Sequence, residues 1–216
     1  MLLRSLALAA PAALLAACTN SVDVEDAAPS ASLTTSASAW TIYQGGASPS
    51  PAVSWAPDTV AAGTFLPYRP NSTAITYDPA VVPAGARAEV GITRNAAGMI
   101  VRLTTAGLIP RRSYGAHLHT APCTATPDDA GPHYQHSKDP KTPSVDPSYA
   151  NPRNEIWLDF TADTTGAATA TSEQRWTFPT TDTPRSLVIH ALTTRTAAPD
   201  AGTAGPRAAC LTLPTR

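Results

Sequence analysis

Little charge of either sign is present, and neither sign dominates: 15 Lys and Arg against 16 Asp and Glu leave a formal net charge of -1 over 216 residues. No chain-wide field is available to gather nucleic acid, so no nucleic-acid partner is expected. Long apolar runs are lacking too. Leu6 to Ala17 is about a dozen residues, too short to cross a bilayer comfortably as a helix. Aromatic residues make up only 6% of the chain. No window carries a sustained helical period, which excludes a helical bundle and leaves an all-β core. Cysteines number three, Cys18, Cys123 and Cys210, so no more than one bridge can form within the chain. Proline, at 22 residues, is by contrast abundant, as are Ala and Thr. The length is enough for one domain with a real core plus additional segments.

The first residues bear on the compartment. Met1 to Arg4 form a short basic region, the apolar run follows, and it ends in Leu15-Ala16-Ala17-Cys18. Small residues before a Cys at the end of such a run resemble a bacterial lipobox. The resemblance implies a signal peptide over 1–17, cleavage before Cys18 and lipidation of its thiol, which would anchor the protein to a cell membrane on the extracytoplasmic side. The alternative is an ordinary signal peptide whose Cys is incidental. Both readings put the mature protein outside the cytosol, where disulfides persist. With Cys18 lipidated, two cysteines remain and make one bridge, closing a long loop at a gain of about 4 kcal/mol. Residues 18–72 read as a lipidated, disordered low-complexity tether, with Ser30 to Ala39 the most flexible part. Trp40, Tyr43, Trp55 and Phe65 interrupt it, and some of them are expected to pack on the surface of the domain that follows, ahead of the alternative that they form a functional aromatic site.

That domain is placed at 73–216. Short strands are expected at Ala74–Tyr77, Arg87–Thr93, Met99–Ala106, Ser113–Thr120, Glu155–Ala162, Ala167–Phe178, Leu187–Leu192 and Ala208–Leu213. Asn95-Ala96-Ala97-Gly98 is a hairpin turn signal. Ile156, Leu158 and Phe160 alternate onto one face. Eight strands at short spacing argue a β-sandwich or closed barrel. One loop, Ala121 to Arg153, is too long to be structureless in such a domain without a function or a pin, and Cys123 would pin its beginning.

All five histidines fall in this domain: His117, His119, His133, His136 and His190. His117 and His119 are two apart on a strand, so both rings leave the same face and can bite one metal ion. His190 ends an apolar strand, and His133 follows Gly131-Pro132 in the loop. A set of imidazole nitrogens suits copper. Singly, each has a plainer reading: His190 as a rim residue, His136 as a solvated loop residue, a His-x-His pair as a chance surface feature.

Taken together, five segments resemble the copper/zinc superoxide dismutase family. Gly115-Ala116-His117-Leu118-His119 is similar to its copper-binding strand, with Cys123 shortly after. Ala130-Gly131-Pro132-His133-Tyr134 resembles the segment carrying its bridging histidine. Arg185 to His190 resembles the strand carrying the fourth ligand, and Gly202 to Cys210 the C-terminal signature. The resemblance implies an eight-stranded Greek-key barrel, one copper per chain held by His117, His119, His133 and His190, and a Cys123–Cys210 disulfide. It implies Arg207 beside the copper, holding anionic superoxide, and a catalytic proton role for His133. A guanidinium suits a small anion because it offers charge and oriented donors together.

The resemblance breaks where zinc-binding members carry a His-x-x-Asp pattern before the next strand. Here the residues are Asn151-Pro152-Arg153-Asn154. A structural zinc site wants four good ligands, and Asp139 and Asp146 would be improvised ones, so zinc is not expected. This is similar to the copper-only branch of the family. Without zinc, His133 needs another partner to orient its ring, and Glu155 is the first candidate, ahead of Asp159 and Asp146. Two rivals to a dismutase are a non-enzymatic copper carrier on the same barrel and a metal-free surface domain. No dimer face is identifiable from the sequence.

Overall fold

Alternation of small apolar and polar residues sets the two longest strands. In β3 (Arg87–Asn95) Ala88, Val90 and Ile92 turn inward, and in β4 (Gly98–Ala106) Val101, Leu103 and Thr105 do. They pair antiparallel from Arg87↔Ala106 to Asn95↔Gly98, closed by the expected turn, in which Asn95 Oδ1 accepts from Ala97 N at 2.8 Å. The structure, a computed structural model, describes residues 59–214. The expected signal peptide, Cys18, Trp40, Tyr43, Trp55 and most of the expected tether lie outside the described residues.

The remaining strands are β1 (Thr59–Thr64), β2 (Ala74–Thr76), β5 (Ser113–His119), β6 (Phe160–Thr161), β7 (Ala168–Gln174), β8 (Ser186–His190) and β9 (Arg207–Thr212). They form two antiparallel sheets, one ordered β1-β3-β4-β7 and the other β2-β9-β8-β5-β6. Val90, Ile92, Val101 and Leu103 from the first sheet share one core with Tyr114, Leu118, Leu187, Ile189 and Leu211 from the second. The fold is therefore an all-β sandwich with chain crossovers between its sheets at β1–β2, β2–β3, β4–β5, β6–β7 and β7–β8.

Three expectations change. The described strands number nine rather than eight, because β1 lies ahead of residue 73 and pairs with β3 from Thr59↔Ile92 to Thr64↔Arg87. Its sequence, Thr-Val-Ala-Ala-Gly-Thr, has no alternation to announce it. Small residues are required there: a Cβ on Gly63 would lie 2.5 Å from Ala74 Cβ and 2.9 Å from Leu211 Cδ1. Phe65, placed in the tether, is fully buried in the core. The expected strand Glu155–Ala162 is paired continuously only at Phe160–Thr161, although Ile156, Leu158 and Phe160 do share a buried face.

The reason for that short strand also builds the site. One edge of β5 is paired with β8 from Gly115↔His190 to His119↔Ser186. The other edge is divided. β6 takes Ser113 and Tyr114, Trp157 bridges His117, and Leu158 N donates to Ala116 O at 2.8 Å. Past that point loop residues 133–135 wedge in. His133 bridges His119, Tyr134 N donates to Leu118 O, and Gln135 bridges Glu155. Tyr114, Ala116 and Leu118 point into the core, while His117 and His119 point to the opposite face and are buried by the loops laid over it.

Cys123 and Cys210 are joined by a disulfide across 87 positions, tying the start of the long loop to β9. In chain-entropy terms a loop of this length confers ~4 kcal/mol by restricting the unfolded chain. The double substitution Cys123→Ser, Cys210→Ser is expected to lower unfolding stability by about that amount, measured by urea denaturation, with the sandwich still formed.

Candidate metal centre

Four imidazoles converge on the outer face of the second sheet. One ring nitrogen each from His117, His119, His133 and His190 lies within 4.8 Å of the others. Ring centroids are 4.0 Å apart for His117 and His133, 4.8 Å for His119 and His133, and 4.9 Å for His117 and His190. His119 Nε2 and His190 Nε2 are 3.4 Å apart. Among the described residues this is the one set of three or more His, Cys, Asp or Glu side chains placed to share an ion.

Each ring is held by its outer nitrogen. His119 Nδ1 donates to Gly131 O at 2.9 Å and His190 Nδ1 to Gly205 O at 3.2 Å. A carbonyl only accepts, so both rings carry the proton on Nδ1 and turn the Nε2 lone pair inward. His133 Nδ1 donates to Glu155 Oε2 at 2.8 Å, which likewise leaves Nε2 inward. His117 is reversed. Thr194 Oγ1 gives its hydrogen to Asp159 Oδ1 at 2.7 Å and therefore accepts from His117 Nε2, also at 2.7 Å. The buried His117 Nδ1 then carries the lone pair and has no hydrogen-bond partner. An acceptor buried without a partner costs free energy unless something binds it. Four ring nitrogens brought together, one of them orphaned, fit a transition-metal ion of the kind that imidazole ligates.

Glu155, expected as the partner of His133, is buried to 1% exposure. Three donors meet its carboxylate: His133 Nδ1, Gln135 Nε2 at 2.7 Å and Trp157 Nε1 at 2.7 Å. Charge-assisted bonds of this kind are what allow a carboxylate to stay in so dry a place. Asp159, a weaker candidate for the same role, instead serves His117 through Thr194. Asp146 accepts from Ser148 N, and Asp139 from Lys141 N and Ser144 Oγ. His136 is an exposed loop residue, and its ring stacks on Trp176 at 4.6 Å.

Arg207 faces His190 across β8 and β9. Its Nη2 donates to Gly131 O at 2.7 Å, the same oxygen that accepts from His119, and its Nη1 to Pro127 O at 3.0 Å. Asp128 Oδ1 lies 3.6 Å from Nε. Gly131 has φ of +75°, and a Cβ there would collide with Thr120 Oγ1, so only glycine lets this carbonyl face both groups. Arg207, His133 and His190 line a cleft of about 610 Å³ with Lys138, Lys141 and Thr203 on its walls.

Thr194, Gln135 and Trp157 escape a reading of the sequence. In a chain so rich in Thr, a single Thr four residues after His190 gives no signal, and its role depends on Asp159 arriving from the segment just ahead of β6.

Burial holds the His117 and His119 imidazoles well below the usual histidine pKa, with the neighbouring rings and Arg207 adding to the effect; for His119 the Gly131 bond opposes it. Burial, with His133 adding and the Gly205 bond opposing, brings His190 down to about 3. These rings are neutral and ready to ligate at pH 7. In the unfolded chain they take up protons near pH 6.5, so the unfolded state binds more protons below that value. The stability they contribute is present above pH 6.5 and is lost as pH falls toward the folded values. The urea midpoint of the metal-free protein is expected to drop between pH 6.5 and 5.5, above the carboxylate range, and to drop less steeply for His190→Gln.

Comparison with protein-family models and with curated proteins gives no match. Among solved structures the chain is similar to a double mutant of a superoxide dismutase-like protein from Bacillus subtilis, at 17% identity over 58% of this chain and 87% of that one, with a TM-score of 0.44. It is similar also to the Cu/Zn superoxide dismutase from Brucella abortus, at 19% identity over 72% of this chain and 98% of that one, with a TM-score of 0.43.

Proposed function

We propose that this chain is a copper-dependent superoxide dismutase of the zinc-less kind, acting outside the cytosol and anchored through a lipid on Cys18. One observation carries the reading: four mostly buried imidazoles, each tied by one nitrogen, turn the other toward a common point beside a guanidinium. His117 would hold the ion through Nδ1, and His119, His133 and His190 through Nε2. The reaction is 2 O2•− + 2 H+ → O2 + H2O2. When bound, copper supplies a one-electron couple between Cu(II) and Cu(I).

The chain's own residues do the rest. Arg207 supplies positive charge at the cleft, and one N–H of Nη2 lies outside the bonds that fix its guanidinium. That donor would be available to hold a small anion. His133 is the most exposed of the four rings, at 17%, and lines the cleft, whereas His117 and His119 are at 0%. It is therefore the ring that can hold a proton on Nε2 and pass it to a reduced oxygen species. Glu155 keeps that ring in place while the proton comes and goes. The Cys123–Cys210 disulfide supports an oxidising compartment.

Pulse radiolysis or a cytochrome-based assay on the copper-loaded domain tests the reading. Superoxide loss is expected to be fast and to slow as ionic strength rises. Arg207→Ala is expected to lower the rate and flatten that salt dependence, with copper retained. A protein that binds copper and leaves superoxide decay at its spontaneous rate would instead be a copper carrier.

Glu155→Gln replaces the carboxylate that orients His133 with a neutral amide having one acceptor oxygen, and Thr194→Val removes the acceptor of His117. Each is expected to weaken copper binding by roughly 10–100-fold, measured by competition with a chelator.

A further inference from the structure

Trp157 is the one tryptophan in ring contact with the four-histidine cluster among the described residues. Its ring meets His117 edge-on, at 6.0 Å between centroids and 62° between planes. The backbone bridge between the two residues fixes that approach. Its Nε1–H donates to Glu155 Oε2 at 2.7 Å, and the same oxygen accepts from His133 Nδ1 at 2.8 Å. The indole is thus coupled to two of the four proposed ligands, by a ring contact on one side and a shared carboxylate on the other. As a residue it is only partly buried.

The location matters because indole is oxidised more readily than imidazole. An N–H already donated to a carboxylate loses its proton easily once electron density is withdrawn from the ring. The dismutation proposed above makes hydrogen peroxide at this centre, so the oxidant is generated in place. We propose that Trp157 is a sacrificial oxidation site that takes up oxygen from hydrogen peroxide in place of the metal-binding imidazoles. In this step the O–O bond breaks. One oxygen enters an indole C–H bond to give C–OH, and the other leaves as water. The indole loses two electrons, and the peroxide gains two.

The inference rests on the copper reading, so copper loading is measured first, by paramagnetic resonance on the whole domain. Loaded and metal-free protein are then treated with hydrogen peroxide and mapped by peptide mass spectrometry. Trp176 is an internal control. It is also half-buried with its Nε1–H bonded, to Arg153 O at 2.9 Å, but it stacks on His136 outside the cluster. The expected result is a one-oxygen mass gain on Trp157 that needs copper, precedes any on the histidines, and exceeds that on Trp176 several-fold. In Trp157→Phe, oxygen is expected on His117 and His133 instead, with faster loss of the copper signal. Oxygen appearing first on the histidines of the unsubstituted protein, or equally on both tryptophans, overturns the inference and leaves the copper reading intact. A chain that takes up no copper overturns both. The mapping of the unsubstituted protein needs no variant to fold.

Discussion

A buried imidazole can aim a lone pair at a neighbour only if its other nitrogen carries a proton that something accepts. The arrangement of the centre follows from meeting that condition four times in a small space. Two of the acceptors are backbone carbonyls, Gly131 and Gly205, supplied by the loops that cover the sheet. Two are carboxylates, one direct through Glu155 and one relayed through Thr194 to Asp159. Without these acceptors, crowding such rings in a dry place would leave donors and lone pairs facing each other at random. With them, four acceptor nitrogens face inward together, an arrangement that a bound cation relieves.

The sandwich supplies the scaffold for this by leaving one edge of β5 incompletely paired. Had Glu155–Ala162 zipped fully onto β5, His133 would have had no place beside His119. Residues 133–135 take that place and bring Gln135 to Glu155. The loop must then return reliably to the same edge, and several ties hold it. The disulfide fixes its start. Asn154 holds its end, accepting from Ser137 N at 2.7 Å and donating to Ser137 O at 2.8 Å and Tyr149 O at 2.9 Å. A carboxamide is a poor ligand for a structural metal but meets the polar groups of a loop well. At Asn154 the chain therefore uses its side chain for hydrogen bonds that serve the loop.

How much of this is legible in the sequence depends on whether the signal is local. The alternation in β3 and β4, the Asn95–Gly98 turn and the same-face pairing of His117 with His119 are all properties of neighbours in the chain, and all appear in the structure. The five segments that resemble the copper/zinc superoxide dismutases carried the longer-range information, naming His133, His190 and Arg207 as one group. Glu155 was reachable because a carboxylate just after the loop, in a chain with few of them, has few other uses. β1 is not legible, because its run of Ala61, Ala62 and Gly63 leaves no periodic trace, and the close approach of Gly63 to β2 and β9 exists only in the folded chain. Thr194 and Asp159 were not reachable as a pair either. Their partnership with His117 exists only after the chain has folded three separate segments together.

Arg207 and His119 share the carbonyl of Gly131, and this bears on what the guanidinium does. A residue present only for its charge would gain by reaching into the open cleft, where its field would extend furthest. Arg207 is instead drawn back onto the carbonyls of Pro127 and Gly131, with its side chain only 19% exposed. That costs some reach, since Asp128, 3.6 Å from Nε, offsets part of its field. What it secures is registry. The donor that would meet an anion and the ring that would hold the ion hang from one oxygen, so they cannot drift apart independently. In a cleft of about 610 Å³, far larger than the small anion proposed above, walls alone would not position such an anion. The shared carbonyl would help to do so by tying the guanidinium and the His119 ring to one oxygen.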